Sequence, residues 1–102
     1  MHDLSDEQFF QKHADFCAVF SNANRLKLLD ILSDGDTYTV SELESAAGLS
    51  QSAVSQHLKL MRDQNIVVRD RRGVNSYYRL SDTRIVEAME RIREAVADQM
   101  VE

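Results

Sequence analysis

The 102-residue chain has no proline, three glycines and one cysteine. One cysteine excludes an internal disulfide framework, and it excludes a four-cysteine zinc site within one chain. No run approaches the ~20 apolar residues that span a bilayer, so no membrane partner is expected. The first residues, MHDLSDEQ, are acidic and polar; they cannot serve as a secretory signal, and the cytoplasm is the expected location. There is no linker, repeat or low-complexity run. At 11.7 kDa, with 43% hydrophobic and 28% charged residues, the length and composition suit one globular domain spanning residues 1–102. No nucleophile–base pair, phosphate loop or metal triad is found, so no enzyme and no cofactor is expected.

An excess of positive charge is also lacking: the net charge is −5. Its distribution is uneven. Residues 51–80 hold Lys59, Arg62, Arg69, Arg71, Arg72 and Arg79 against Asp63 and Asp70, a local +4, and the rest of the chain carries −9. A basic segment in an acidic protein fits a polyanion site with a repelling back surface. Simple scatter is the alternative, because eight charges in thirty residues is not dense.

The few glycines act as punctuation. Before Gly35 lie two helical patterns. The first opens at Leu4-Ser5, with Ser5 and Gln8 as a capping box and Leu4 and Phe9 as a hydrophobic staple. It carries all four phenylalanines, Phe9, Phe10, Phe16 and Phe20, with Cys17 and Val19. The second runs from about Asn22 to Ser33; Leu26, Leu28, Leu29, Ile31 and Leu32 make it the expected core helix. Thr39 with Glu42 caps a third helix, whose Val40, Leu43 and Ala47, with Ala46 as a further candidate, face inward. Gly48 ends it. Ser50 caps a fourth helix at once, with Leu49 and Val54 as staple. Two short helices around so brief a turn make a helix-turn-helix. IVVRDRR and SYYRL, flanking Gly73-Val74-Asn75, predict a two-stranded hairpin. Ser81 or Asp82 caps a last helix with an apolar stripe of Ile85, Met89, Ile92, Val96 and Met100. The expected fold is mainly α with a two-stranded β-wing, in the order α-α-α-α-β-β-α: a winged helix.

Helical geometry sorts the fourth helix. With Val54 at zero, Leu58 and Met61 fall within about 40° of it, and Ser52, Ser55, Gln56, Lys59 and Asp63 fall near 100–200°, the outer face. Gln51 and Arg62 flank that face. Gln pairs with adenine, Ser with several bases, and Lys with guanine or phosphate. Asp63 opposes phosphate and is expected beyond the groove. His57 sits at the core edge, as a packing or phosphate-contacting residue. Arg69, Arg71, Arg72 and Asn75 surround the hairpin tip, suited to the negative minor groove. The expected partner is a double-stranded DNA operator. The plain alternatives are a solvated helix face and a charge-protected edge strand.

LSQSAVSQHLKLM, followed by IVVRDRRGVNSYYRLSD, resembles the ArsR/SmtB family of bacterial and archaeal repressors, and ANRLKLLDIL in the second helix fits it too. The resemblance implies a homodimer that represses an operon from an inverted-repeat operator and leaves DNA when an effector binds. It also implies dimerisation through the first and last helices, about residues 5–20 and 82–101. The candidate interface residues are Phe9, Phe16, Phe20, Ile85, Met89, Ile92 and Val96; the alternative is that both helices simply cover the monomer core. The family's effector sites do not carry over. Its Cys-x-Cys pair matches Thr39 and Ser41. Its Asp, two His and Glu across the paired last helices match Asp82, Arg84, Ala95 and Asp98. Its redox cysteine in the second helix matches Asp30, and the last helix has no cysteine. Soft ions prefer thiolate and imidazole, so no family metal site is expected and the effector is left unassigned.

Cys17, one helical turn after His13, is the remaining sensor candidate for a thiol or metal. A small buried hydrophobe is its bland alternative. A winged-helix interaction dimer without DNA binding is the alternative function.

Overall fold

Short-range caps decide where the helices begin. In the computed structural model, which describes residues 5–101, the Ser5 hydroxyl accepts the Gln8 N–H at 3.2 Å and the Gln8 side chain accepts the Ser5 N–H at 3.0 Å. This reciprocal pair opens α1 (Asp6–Ala18). Leu4, the other half of the expected staple, lies outside the described residues. The chain then tightens into a 3-10 turn over Val19–Ser21 instead of continuing as α-helix to residue 20. The carbonyls freed there find a partner in Arg25, which donates to Val19 O at 2.8 Å and Ala18 O at 3.3 Å.

Asn22 caps α2 (Ala23–Leu32), accepting the N–H groups of Asn24 and Arg25. Leu28, Leu29 and Leu32 are fully buried, so α2 is the core helix its composition predicts. Thr39 and Glu42 form the second capping box and start α3 (Val40–Ala47). Leu43 is buried and Val40 and Ala47 pack on the core, whereas Ala46 is exposed. Gly48 stops α3 in the left-handed region (φ 69°), and its N–H and that of Leu49 both close on Glu44 O. The Ser50 hydroxyl then accepts the Ala53 N–H and begins α4 (Gln51–Asp63).

After α4, Asn65 turns the chain with φ 58° and Ile66 enters the core. β1 (Val67–Arg72) and β2 (Asn75–Leu80) pair antiparallel, from Val67 opposite Leu80 to Arg72 opposite Asn75. The connection is thus two residues, Gly73-Val74, and Asn75 belongs to β2. Of the two turn residues only Gly73 has positive φ (64°), the arrangement of a type II′ hairpin. The hairpin is fastened at its base. Tyr38 exchanges two backbone hydrogen bonds with Tyr78 (2.9 and 2.8 Å), and Ser81 N–H donates to Ile66 O. Asp82 caps α5 (Thr83–Gln99).

The core joins α2, α3, α4, the strands and the first turn of α5 around Leu28, Leu29, Leu43, Leu58, Met61 and Ile66. The two end helices contribute little to it. No residue of α1 is buried, and every residue of 91–101 is exposed. The radius of gyration is 15.0 Å, against about 13 Å for a compact globule of this length.

Candidate nucleic-acid interface

The tight α3–α4 turn presents α4 with one face in the core and one in solvent. Val54, Leu58 and Met61 are buried; Gln51, Ser52, Ser55, Gln56, Lys59 and Asp63 are exposed. The structure therefore gathers the residues expected on the outer face into one polar strip. Lys59 Nζ lies 3.1 Å from the Asp63 carboxylate, so Asp63 engages the strip's one cation in the unbound protein. His57 and Arg62 sit at its margin, half-buried. Burial, and secondarily the nearby Arg25 guanidinium, lower the His57 pKa from its ordinary value. The Arg62 Nε is shut off from solvent without a hydrogen-bond partner, which leaves Arg62 less free than the flanking position predicts.

Alternation along the hairpin divides its cations between two faces. Arg69 and Arg71 share a side with Val67, Tyr78 and Leu80; Asp70 and Arg72 share the other with Tyr77 and Arg79. On that second side Arg79 is 3.5 Å from Asp70, and the Arg72 guanidinium lies 4.7 Å from the Tyr77 ring centroid. Arg69, Arg71, Arg72 and Asn75 are all exposed, though only Arg71, Arg72 and Asn75 are near the tip. Local spacing gave no warning of the Arg72–Tyr77 stack or of the Tyr38–Tyr78 bridge; both depend on strand register. The Tyr38 hydroxyl also donates a short hydrogen bond to Asp34, which pushes the phenol up to about 12 and the carboxyl down.

The expected dimer residues separate into two groups. Ile85, 8% exposed, is part of this chain's own core, and Phe16, Phe20 and Met89 pack against that core. Phe9, Ile92 and Val96 are 36%, 63% and 50% exposed, and Phe9 lies against the rings of Phe10 and His13; Phe10 and Met100, outside the expected set, are 62% and 79% exposed. A groove of about 480 Å³ runs between α2 and α5, with Phe20, Leu26, Met89 and Val96 in its walls. Arg93 crosses it to Asp30 at 2.7 Å.

Four of the positions matching family effector sites, Thr39, Asp30, Asp82 and Arg84, are engaged elsewhere. Thr39 is the cap of α3, and Asp30 holds Arg93. The Asp82 carboxylate accepts the Arg84 guanidinium (2.6 Å at its shortest) and the Arg84 N–H (2.8 Å), which bring its pKa down to about 2. These residues do not fit a soft metal: their donors are hard oxygens already satisfied by cations or N–H groups. Cys17 is exposed in the single chain, and His13 is exposed one turn before it. Among the described residues, no three His, Cys, Asp or Glu side chains converge as a metal site. Among the same residues, no helix is long and apolar enough to cross a membrane.

A helix-turn-helix followed by a paired hairpin, with helices at both ends, defines a winged helix-turn-helix protein. Residues 22–68 match the family described as "Bacterial regulatory protein, arsR family". The chain is 36% identical over 76 residues to the transcriptional repressor SmtB homolog of Synechocystis, covering 74% of this chain and 57% of that protein's length. The crystal structure of NolR from Sinorhizobium fredii superposes with a TM-score of 0.78 at 34% identity, covering 93% of this chain and 96% of that one. The solution structure of the homodimeric winged helix-turn-helix DNA-binding domain of Mb0332 from Mycobacterium bovis shares the fold, with a TM-score of 0.82 at 22% identity over 98% of this chain and 94% of that one. The chain belongs to the ArsR family of transcriptional regulators; it is a regulator, not an enzyme.

Proposed function

We propose that residues 1–102 form one winged-helix unit that dimerises through α1 and α5 and represses transcription by binding an inverted-repeat operator. The observation that carries this reading is the outer strip of α4, where Gln51, Ser52, Ser55, Gln56 and Lys59 stand exposed on a helix anchored by Val54, Leu58 and Met61. Set in a major groove, Gln56 reads base edges and Lys59 meets guanine or phosphate. Arg71 and Arg72 of the wing, with Arg69 behind them, neutralise phosphates beside the minor groove. Two copies related by a twofold axis place the half-sites about one helical turn apart, or a multiple of it. The repressor named among the relatives and the homodimer named among the neighbours support the assignment. The effector is a ligand other than a soft metal held at the family positions, because Thr39, Asp82 and Asp30 are already committed within the fold.

Selection of duplexes from a randomised pool, followed by titration at several salt concentrations, tests the reading. Affinity falls linearly with salt on logarithmic axes. Arg71→Ala with Arg72→Ala weakens binding to all sequences, whereas Gln56→Ala changes base preference by about 1–3 kcal/mol if its contact is bidentate. Equal, sequence-blind losses from both changes overturn the assignment of the α4 face. An absence of any selected duplex favours the interaction-only dimer.

The exposure of Cys17 beside His13 supports a second reading, a thiol or metal response on α1. In that case Cys17→Ser abolishes the response and keeps DNA affinity.

A further inference from the structure

Val74 is the most exposed large apolar side chain among the described residues, at 93%, and it stands at the tip of the wing. Single exposed apolar residues are common on protein surfaces; the surroundings of this one give it a purpose. It occupies the second place of the Gly73-Val74 turn, where Asn, Asp, Ser or Gly ordinarily serve. The left-handed conformation is supplied by Gly73, so valine is not needed for the turn. Nor does it serve the core, which ends at Tyr78 on the strand below.

The cations around it are arranged on both sides of the hairpin. Arg71, opposite Ser76, lies on one face; Arg72, opposite Asn75, lies on the other, its guanidinium stacked on Tyr77. Asp70, the acidic residue of β1, is paired with Arg79. The tip therefore combines an apolar point with a cation on each flank. A minor groove offers the complementary form: two phosphate-lined walls about 6 Å apart and a floor of base edges. Over A·T pairs that floor carries only acceptors and leaves room for a small branched side chain. Over G·C pairs the guanine 2-amino group projects into the groove, where valine both obstructs it and leaves its one N–H not engaged in base pairing without an acceptor.

We propose that Val74 is a specificity-determining residue: it enters the minor groove as an apolar point and selects A·T steps on the flanks of the operator. This rests on the DNA-binding reading of α4 and the wing, and it extends that reading to a residue with no charge or hydrogen-bonding group in its side chain. Apolar side chains of architectural proteins act on minor grooves in a related way.

The test uses the full chain and duplexes that the wild-type protein selects from a randomised pool. The base pairs under the wing are then set to A·T, G·C or inosine·C, the last restoring an A·T-like floor by removing the 2-amino group. Wild-type protein binds the A·T and inosine·C duplexes alike and the G·C duplex about tenfold more weakly. In Val74→Ser, a turn-compatible change, the difference between A·T and G·C falls to near unity. The unfolding temperature of the variant stays at the wild-type value, since Val74 is exposed in the chain. Equal wild-type binding to G·C and inosine·C overturns the proposal. So does a Val74→Ser protein that keeps the wild-type preference. If binding persists and Arg71→Ala weakens it while either of those results holds, only the role of Val74 falls. If no duplex is selected, this proposal and the DNA-binding reading fall together.

Discussion

A charge at Ile92 should separate association from folding. Ile92 is 63% exposed in the single chain, on the same stripe of α5 as Val96 and Met100. Complete burial of an isoleucine is worth about 1.5–3 kcal/mol, so covering the exposed part contributes about 1–2 kcal/mol. A twofold axis repeats the loss, and Ile92→Glu forfeits about 2–4 kcal/mol per dimer before any electrostatic cost. At 1.4 kcal/mol for each factor of ten, the dissociation constant rises roughly 30- to 700-fold. The true figure is larger, because two carboxylates must be buried or the contact surrendered. Sedimentation equilibrium across a concentration series measures it, with circular dichroism as the control on folding. The isolated chain loses little, since Ile92 is outside its core. Ile85→Glu provides the contrast: Ile85 lies in the core, and a charge there should cost the fold itself. An Ile92→Glu protein that dimerises with the wild-type constant would refute the assignment of α5 to the interface.

Asp63→Asn should strengthen duplex binding about two- to fivefold per half-site, by releasing Lys59 from an exposed ion pair; unchanged or weaker binding in fluorescence anisotropy would contradict the placement of Lys59 at DNA. Zinc, cadmium or arsenite in modest excess should not dissociate the complex through Thr39, Ser41, Asp82 or Asp98. That expectation fails if metal still releases the Cys17→Ser protein and the release disappears on changing Asp82 or Asp98. Asp82 has a folded pKa of about 2, below its ordinary 3.8, so its contribution is present above the ordinary value and is lost as pH falls toward 2. Melting curves from pH 5 to 2 should therefore show a shallower acid decline in Asp82→Ala than in the parent, with Asp34 retaining its share; parallel declines would exclude Asp82 as a source.

What could be read from the sequence was chiefly what neighbours in sequence decide. Ser5 with Gln8 and Thr39 with Glu42 are three residues apart, and both capping boxes form as spelled out. The inner and outer faces of α4 follow from helical periodicity alone, and Gly48 marks its turn because the backbone there is left-handed. Less legible were contacts between distant residues. Arg93 reaches Asp30 across 63 positions, and Tyr38 pairs with Tyr78 across 40. Arg25 draws the carbonyls of Ala18 and Val19, and α1 gives way to a 3-10 turn where apolar spacing suggested continued helix. Phenylalanine content made α1 look like a packing element, but none of its residues is buried within the chain. Hydrophobicity says that a side chain should be covered, not which molecule covers it.

The two backbone hydrogen bonds between Tyr38 and Tyr78 have a consequence for control. They lash the segment leading into α3 to the strand that carries the wing, and Ile66 joins the end of α4 to the same strand pair through Ser81. The reading helix and the wing therefore travel as a single head. A signal reaching α1 or α5 has little purchase on the angle between them. In the proposed dimer its lever would be the separation and tilt of two such heads about the symmetry axis, so an effector would detach the protein from an operator while leaving each half-site contact surface unaltered. Isolated half-sites would then bind the effector-loaded protein about as well as the free one, and only the spacing between half-sites would feel the signal.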